Sequence, residues 1–315
     1  MIRPHRFPAL ILTLVIAAST LGHGWGNEGH LAINRTAAGK IPKEMPGFFR
    51  HAGKRLEYFG PEPDRWRGRG EPELKNAQEP DHFLDSEMLE GLGELPPTRF
   101  QFIRWLYEKR EAERTAGRST LRFGKELYPE NVGLQPYAAL EVYGRLKAAF
   151  REYRRLKALH QYTRGAEDAA VLYAGWLGHY VADASQPLHT TVHYNGWLGP
   201  NPKQYSTSKN VHADFETRLV SRNLARLQLD DLVQKPMRVE HPFPDYVRFV
   251  RDSNGLVEKL YQLEKTGAFA DAGTPEGLEF VRGRLASGSQ MLANLWYTAW
   301  LESGEPEKPA TTPAN

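Results

Sequence analysis

Residues 175–193 read GWLGHYVADASQPLHTTVH, and the reading of this stretch decides the rest. His179 and Asp183 stand four positions apart, so on a helix they project from one face and can reach a common ion. Pro187 ends that helix. The break lets His189 turn back toward the same neighbourhood without keeping helical register. Downstream, NVHADFET repeats the four-residue spacing with His212 and Glu216, a second helical face carrying an imidazole and a carboxylate. Upstream, His82 in PDHFLD and Asp64 in PDRWR lie in a Pro- and Gly-rich stretch, and either Asp64 or the adjacent Asp81 can serve there as the loop carboxylate. Imidazole and carboxylate are the donors that zinc takes where no thiolate exists, and this chain has no cysteine. Any one such pair is ordinarily a surface pair or a satisfied core hydrogen bond. Two pairs on helices, with a Pro-bounded histidine between them, form a pattern. His51, His160 and His193 lack acidic partners at helical spacing and, together with His241, are assigned to structural roles.

Outward from that stretch the apolar periodicity is helical almost throughout, with amphipathic runs near 96–117, 134–162, 166–185, 211–228, 244–266 and 275–302. Convincing two-period strands are missing, which predicts an all-α fold. Two long irregular segments interrupt the helices, 59–85 and 193–210, both rich in turn residues. Loops of such length inside a compact domain are usually functional. The end from Ser303, SGEPEKPATTPAN, reads as a disordered tail over 303–315. There is no internal repeat and no Gly-rich phosphate loop.

Residues 1–24, MIRPHRFPALILTLVIAASTLGHG, have the parts of an export signal: Arg3 and Arg6, an apolar stretch from Ala9 to Ala18, and the small residues Gly22 and Gly24 before a cut. The apolar run is too short to span a membrane, so the expectation is an exported protein, periplasmic or secreted, without a stable membrane anchor. One domain, 25–302, remains. Loss of Arg3 and Arg6 takes the basic residues from 41 to 39 against 38 acidic ones. The near-neutral balance gives no electrostatic footprint of nucleic-acid or membrane binding, and no protein partner is indicated. Without disulfides, the fold must be held by a packed core or a metal. A cut after Gly24 would also leave WGNEGH, residues 25–30, at the start of the mature chain, with a free α-amino group five residues from His30.

The ordered set Trp25-x4-His30, Asp64, His82-Phe83-x-Asp85, His179-x3-Asp183-x5-His189 and His212-x3-Glu216 resembles the S1/P1 nuclease and zinc-dependent phospholipase C superfamily over about 190 residues. The resemblance implies an all-α, phospholipase C/P1 nuclease-like domain with a trinuclear zinc cleft. Carried over by position, one ion takes Asp64, His82, His179 and Asp183. A second takes His189, His212 and Glu216. The third takes the amino nitrogen and carbonyl oxygen of Trp25, His30 and a bridging Asp183. The implied activity is phosphodiester hydrolysis by a zinc-activated water, so that no protein nucleophile is needed. Asp64 would orient that water or accept its proton, and Arg67 would face the phosphate.

Within the superfamily, Phe83 and Asp85 match nuclease positions that stack on a base and accept its exocyclic amino proton, although His-Phe-x-Asp also occurs in the phospholipases. The 23-residue separation of His189 and His212 also resembles the nucleases. Glu216 instead resembles the phospholipases, and Thr217 departs from the asparagine many nucleases place there. The resemblance therefore favours a nuclease acting on single-stranded nucleic acid or nucleotides, with a phospholipase C acting on phospholipid head groups as the alternative. An inactive relative holding structural zinc is a third reading. Three protein ligands at the second ion would leave the open position that catalytic zinc keeps, which argues against it.

Overall fold

The computed structural model describes residues 25–68 and 70–306, and over them the chain is almost entirely helical. Helices α1 (Gly26–Ala38), α2 (Gly47–Arg50), α3 (Gly53–Tyr58), α4 (Glu62–Arg65), α5 (Pro72–Gln78) and α6 (Arg99–Thr115) lead to a small hairpin, β1 (Leu121–Arg122) with β2 (Lys125–Glu126). Then follow α7 (Pro129–Val132), α8 (Gln135–Ala158), α9 (Arg164–Ser185), α10 (Val211–Ala213), α11 (Leu219–Asn223), α12 (Pro242–Asn254), α13 (Val257–Lys265) and α14 (Pro275–Glu302). Among the described residues no helix is long and apolar enough to cross a membrane. The expected export signal, 1–24, and the end of the expected tail, 307–315, lie outside the described residues.

The all-α expectation holds, with local departures that have physical causes. Segment 59–85 is partly helical, because Pro72 occupies the first turn of α5, where its missing N–H costs nothing. Helix α1 gave no clear periodic signal, since polar His30, Asn34 and Thr36 are buried beside Ala32, Ile33 and Ala37 and blur the contrast between faces. The run 244–266 is two helices that part at Gly255 and Leu256. In the run 211–228 a π-helical turn, Asp214–Arg218, separates α10 from α11. Ser303 is buried and its Oγ accepts from Arg154 Nε at 2.9 Å, so packing continues past residue 302.

Helix α9 is the axis of the fold, packing along α8, α14, α1 and α3. Its own glycines permit the approach. A Cβ on Gly178 would lie 1.9 Å from Asn34 Oδ1, and one on Gly175 would lie 2.3 Å from the Phe59 Cβ. Asn34 in turn donates through Nδ2 to the carbonyls of Leu56 and Gly175, at 2.8 and 3.0 Å, which ties α1, α3 and α9 at a buried point. On the other side Trp296 of α14 is fully buried, donates through Nε1 to the Ala174 carbonyl at 3.0 Å and meets the Phe49 ring edge-on. Burying a ring of that size contributes about 4–6 kcal/mol.

Candidate metal centre

Six pieces of chain supply the site, Asp64 coming from α4. α9 presents His179 and Asp183 on one face, as the spacing predicts, with their nearest atoms 3.3 Å apart. At the end of α9, Gln186 adopts an extended conformation and Pro187–His189 forms a 3-10 turn. This turn returns His189 to 3.6 Å from Asp183. The segment carrying His82 runs beside it: Leu84 N donates to the His189 carbonyl at 2.9 Å and Ser86 N to Thr190 at 3.0 Å. α1 contributes His30, whose ring stacks on that of His179 at 4.0 Å. The π-turn after α10 carries Glu216 within 2.8 Å of His212 Nε2. Such turns occur often at functional sites, because the extra residue re-aims a side chain.

Three groups of donors result, each with ligand atoms within 4.8 Å of one another: His30, His179 and Asp183; Asp64, His82 and His179; His189, His212 and Glu216. Asp183 lies at their centre, fully buried, with oxygens 3.1, 3.3, 3.5 and 3.6 Å from His82, His179, His30 and His189 respectively. Asp64 reaches His179 and His30 at 3.8 Å and His82 at 4.0 Å. Asp81 does not join them. It is held at 2.7 Å by Arg99, which also grips Glu141, and this decides which loop carboxylate faces the histidines.

The imidazoles are oriented by backbone. His179 Nδ1 donates to the Gly60 carbonyl at 3.0 Å and His189 Nδ1 to the His82 carbonyl at 2.8 Å, so each turns an unprotonated Nε2 inward, that of His179 lying 3.0 Å from His82 Nδ1. Burial holds the His179 and His189 rings below the usual histidine range and His212 at about 4, so all three are neutral and able to ligate. Burial also pushes Asp64 and Glu216 up to about 7 and Asp183 well above the carboxylate range, with Asp64 adding to the rise at Asp183. Clustered carboxylates in a dry site are costly until a cation compensates them. Asp183 Oδ1 and Glu216 Oε1 are buried with no hydrogen-bond partner. Buried polar atoms are almost always satisfied, and this donor chemistry suits divalent zinc.

Trp25 is fully buried against Phe215, and its Nε1 donates to Ser185 Oγ at 2.9 Å. Its carbonyl accepts from Gly29 N at 3.1 Å, the first bond of α1. The indole thus anchors the start of α1 beneath the site.

Above the donors opens a cleft of about 320 Å³, and His82, His189 and His212 form part of its lining. Arg67, Phe83 and Asp85, the other sequence-derived candidates, border it too. Arg67 contacts Asp64 at 3.3 Å and Glu79 at 3.4 Å. Asp85 is 1% exposed, and Lys125 of β2 stands 3.7 Å from it. Sequence reasoning missed Lys75, Lys125, Tyr194 and Asn195 at this cleft, and no local spacing marks them. It also missed Gln186, which donates to Glu216 at 3.2 Å and accepts from Leu188 N at 2.6 Å. The Gln-Pro preceding His189 was the available signal.

Fold and site together define an all-α protein with a buried cluster of imidazoles and carboxylates opening into a cleft lined by both cations and carboxylates. No family model matches the chain, and no curated protein does. Among solved structures it is similar to the alpha toxin from Clostridium absonum, with 13% identity and a TM-score of 0.45 over 91% of this chain and 66% of that one. It is similar also to the Clostridium perfringens alpha-toxin from avian strain SWCP, with 11% identity and a TM-score of 0.39 over 90% and 65%. The chain spans just under two thirds of the length of either toxin.

Proposed function

We propose that the protein is an exported zinc-dependent phosphodiester hydrolase acting on single-stranded nucleic acid or nucleotides. The observation that carries this reading is that His82, His189 and His212 are donors and cleft lining at once, so ions held there would meet a substrate. A purely structural zinc site is closed by its protein ligands. Asp64, His82, His179 and Asp183 would hold one ion, His189, His212 and Glu216 a second, and His30 with Asp183 and the processed terminus of Trp25 a third. Bound zinc supplies Lewis acidity, which makes water acidic near neutral pH and withdraws charge from phosphoryl oxygens.

The chain's own groups do the remainder. Asp64, which lies between the histidines and Arg67, would orient the attacking water and take its proton. The Arg67 guanidinium, nearly buried beside Asp64 and Glu79, would turn part of its N–H set to the phosphoryl oxygens. Phe83 provides a face on which a base can stack without sequence preference.

The lining carries Arg67, Lys75 and Lys125 among the carboxylates Glu79 and Asp85, and these cations suit the repeated phosphates of a nucleotide chain. Lys125 lies 5.7 Å over the Tyr194 ring, the aromatic face a quaternary ammonium would want. The phospholipase reading keeps one residue in its favour, Glu216 in place of aspartate. The test offers zinc-loaded mature protein single-stranded DNA, RNA, a 3′-nucleotide and short-chain phosphatidylcholine side by side. Turnover of the nucleic acids is expected to exceed that of the lipid. Lipid hydrolysis alone overturns the substrate assignment, and hydrolysis of none of them overturns the enzyme.

A further inference from the structure

Lys125 is held too deliberately to be a surface lysine. The hairpin that carries it turns through Phe123 and Gly124, both at positive φ, and is clamped on either side of the lysine. Arg122 donates to the carbonyls of Met88 and Glu90 at 3.2 and 2.6 Å. Glu126 accepts from Arg110 at 2.6 Å and from Thr120 at 3.0 Å, and its carbonyl accepts from Asn131 at 3.0 Å. Between these clamps the Lys125 side chain, about one third exposed, extends into the cleft lining. Its Nζ is 3.7 Å from Asp85 Oδ2, beyond ordinary hydrogen-bond length, so the carboxylate steers the ammonium without consuming its donors.

Asp85 belongs to none of the three donor groups, whereas Arg67 touches Asp64, which does. Of the three cations in the cleft lining, Arg67 touches a donor carboxylate, Lys75 stands 3.7 Å from Glu79 on its own segment, and Lys125 is held by its hairpin beside Asp85, apart from the donor groups. We propose that Lys125 is a specificity-determining residue, which reads a second phosphate group on the nucleotide adjoining the scissile phosphodiester. This rests on the phosphodiesterase reading above and deepens it. The preferred substrate is then a polyanion, a nucleotide chain or an end-phosphorylated dinucleotide, and Asp85 serves to aim Lys125.

The test compares thymidine dinucleotides with and without a terminal phosphate, in wild type, Lys125→Gln and Lys125→Arg, each verified for zinc content and helicity. Wild type is expected to prefer the phosphorylated dinucleotide by roughly tenfold in kcat/KM, carried by KM, as one charge-assisted contact implies. Lys125→Gln should bring that ratio below about twofold and Lys125→Arg should keep most of it. Equilibrium binding of uncleavable methylphosphonate-linked dinucleotides, followed by tryptophan fluorescence, gives a readout independent of turnover. There the affinity for the phosphorylated ligand should weaken with added salt in wild type and lose most of that dependence in Lys125→Gln, since one ion pair is removed. A wild type without preference, or a Lys125→Gln variant that keeps both preference and salt dependence, overturns the proposal. Failure to hydrolyse even bis(4-nitrophenyl) phosphate would sink the phosphodiesterase reading instead, while the binding comparison still decides Lys125.

Discussion

Asp183→Asn is nearly isosteric, and it separates a metal-bridging carboxylate from a structural acceptor. The wild-type side chain is fully buried with imidazoles of His82, His179, His30 and His189 between 3.1 and 3.6 Å away. An amide keeps the shape and removes the charge that two ions would share. Loss of an outer-shell partner already costs 10–100-fold in metal affinity, so loss of a ligand is expected to cost at least about 100-fold at each of two sites. With free zinc at about 100 times Kd, a bound ion stabilises the fold by about 2.7 kcal/mol, and a 100-fold weaker site retains only about 0.4. Two sites together lose about 5 kcal/mol, or a Tm drop of about 10 °C in a chain of this size. Chelation reverses the sign. Burial raises the Asp183 carboxyl far above its unfolded value, so without a cation its ionisation destabilises the fold as pH rises through that interval. At pH 7.5 with chelator, the variant should melt no lower than the equally treated wild type. The assay is calorimetry of both proteins, zinc-replete and chelated, with zinc by elemental analysis expected to fall by more than one equivalent in the variant. If Asp183→Asn lowers Tm equally in both conditions, Asp183 is a structural acceptor and the bridging assignment is wrong.

Glu216→Asp keeps a carboxylate at shorter reach from His212 and His189, and is expected to retain partial hydrolysis and its full zinc count, measured by turnover and elemental analysis. A Met or tag ahead of Trp25 removes a free α-amine while every side chain survives, so such protein should fold, hold about two zinc ions rather than three, and turn over far more slowly than protein processed before Trp25. Mass spectrometry of both termini alongside zinc content and turnover checks it. Gly133→Ala should destabilise by about 3 kcal/mol or more in chemical denaturation. Gly133 has φ 92° and ψ 160°, and a Cβ there would sit 2.0 Å from the Phe83 carbonyl, next to His82.

What the amino-acid sequence determines by itself is whatever a single helix or turn can express. The four-residue spacings of His179 with Asp183 and of His212 with Glu216 force each pair onto one side of its own segment, and Pro187 forces a break that frees His189. Long apolar runs at the helical period likewise declare α8, α9 and α14. Tertiary structure decides everything that depends on which segments meet. Asp64 and Asp81 are both loop carboxylates beside Pro in the sequence; only the fold shows that Arg99, from α6, claims Asp81 and leaves Asp64 to the histidines. Lys125 carries no local mark, because its meaning comes from Asp85 and Tyr194, 40 and 69 positions away in the chain. The orientation of His179 rests on a carbonyl 119 residues distant, and the closeness of α1 to α9 on glycines whose purpose is visible only against Asn34. Helical periodicity is a property of neighbours three and four apart, whereas a site is made of residues that packing brings together from across the chain.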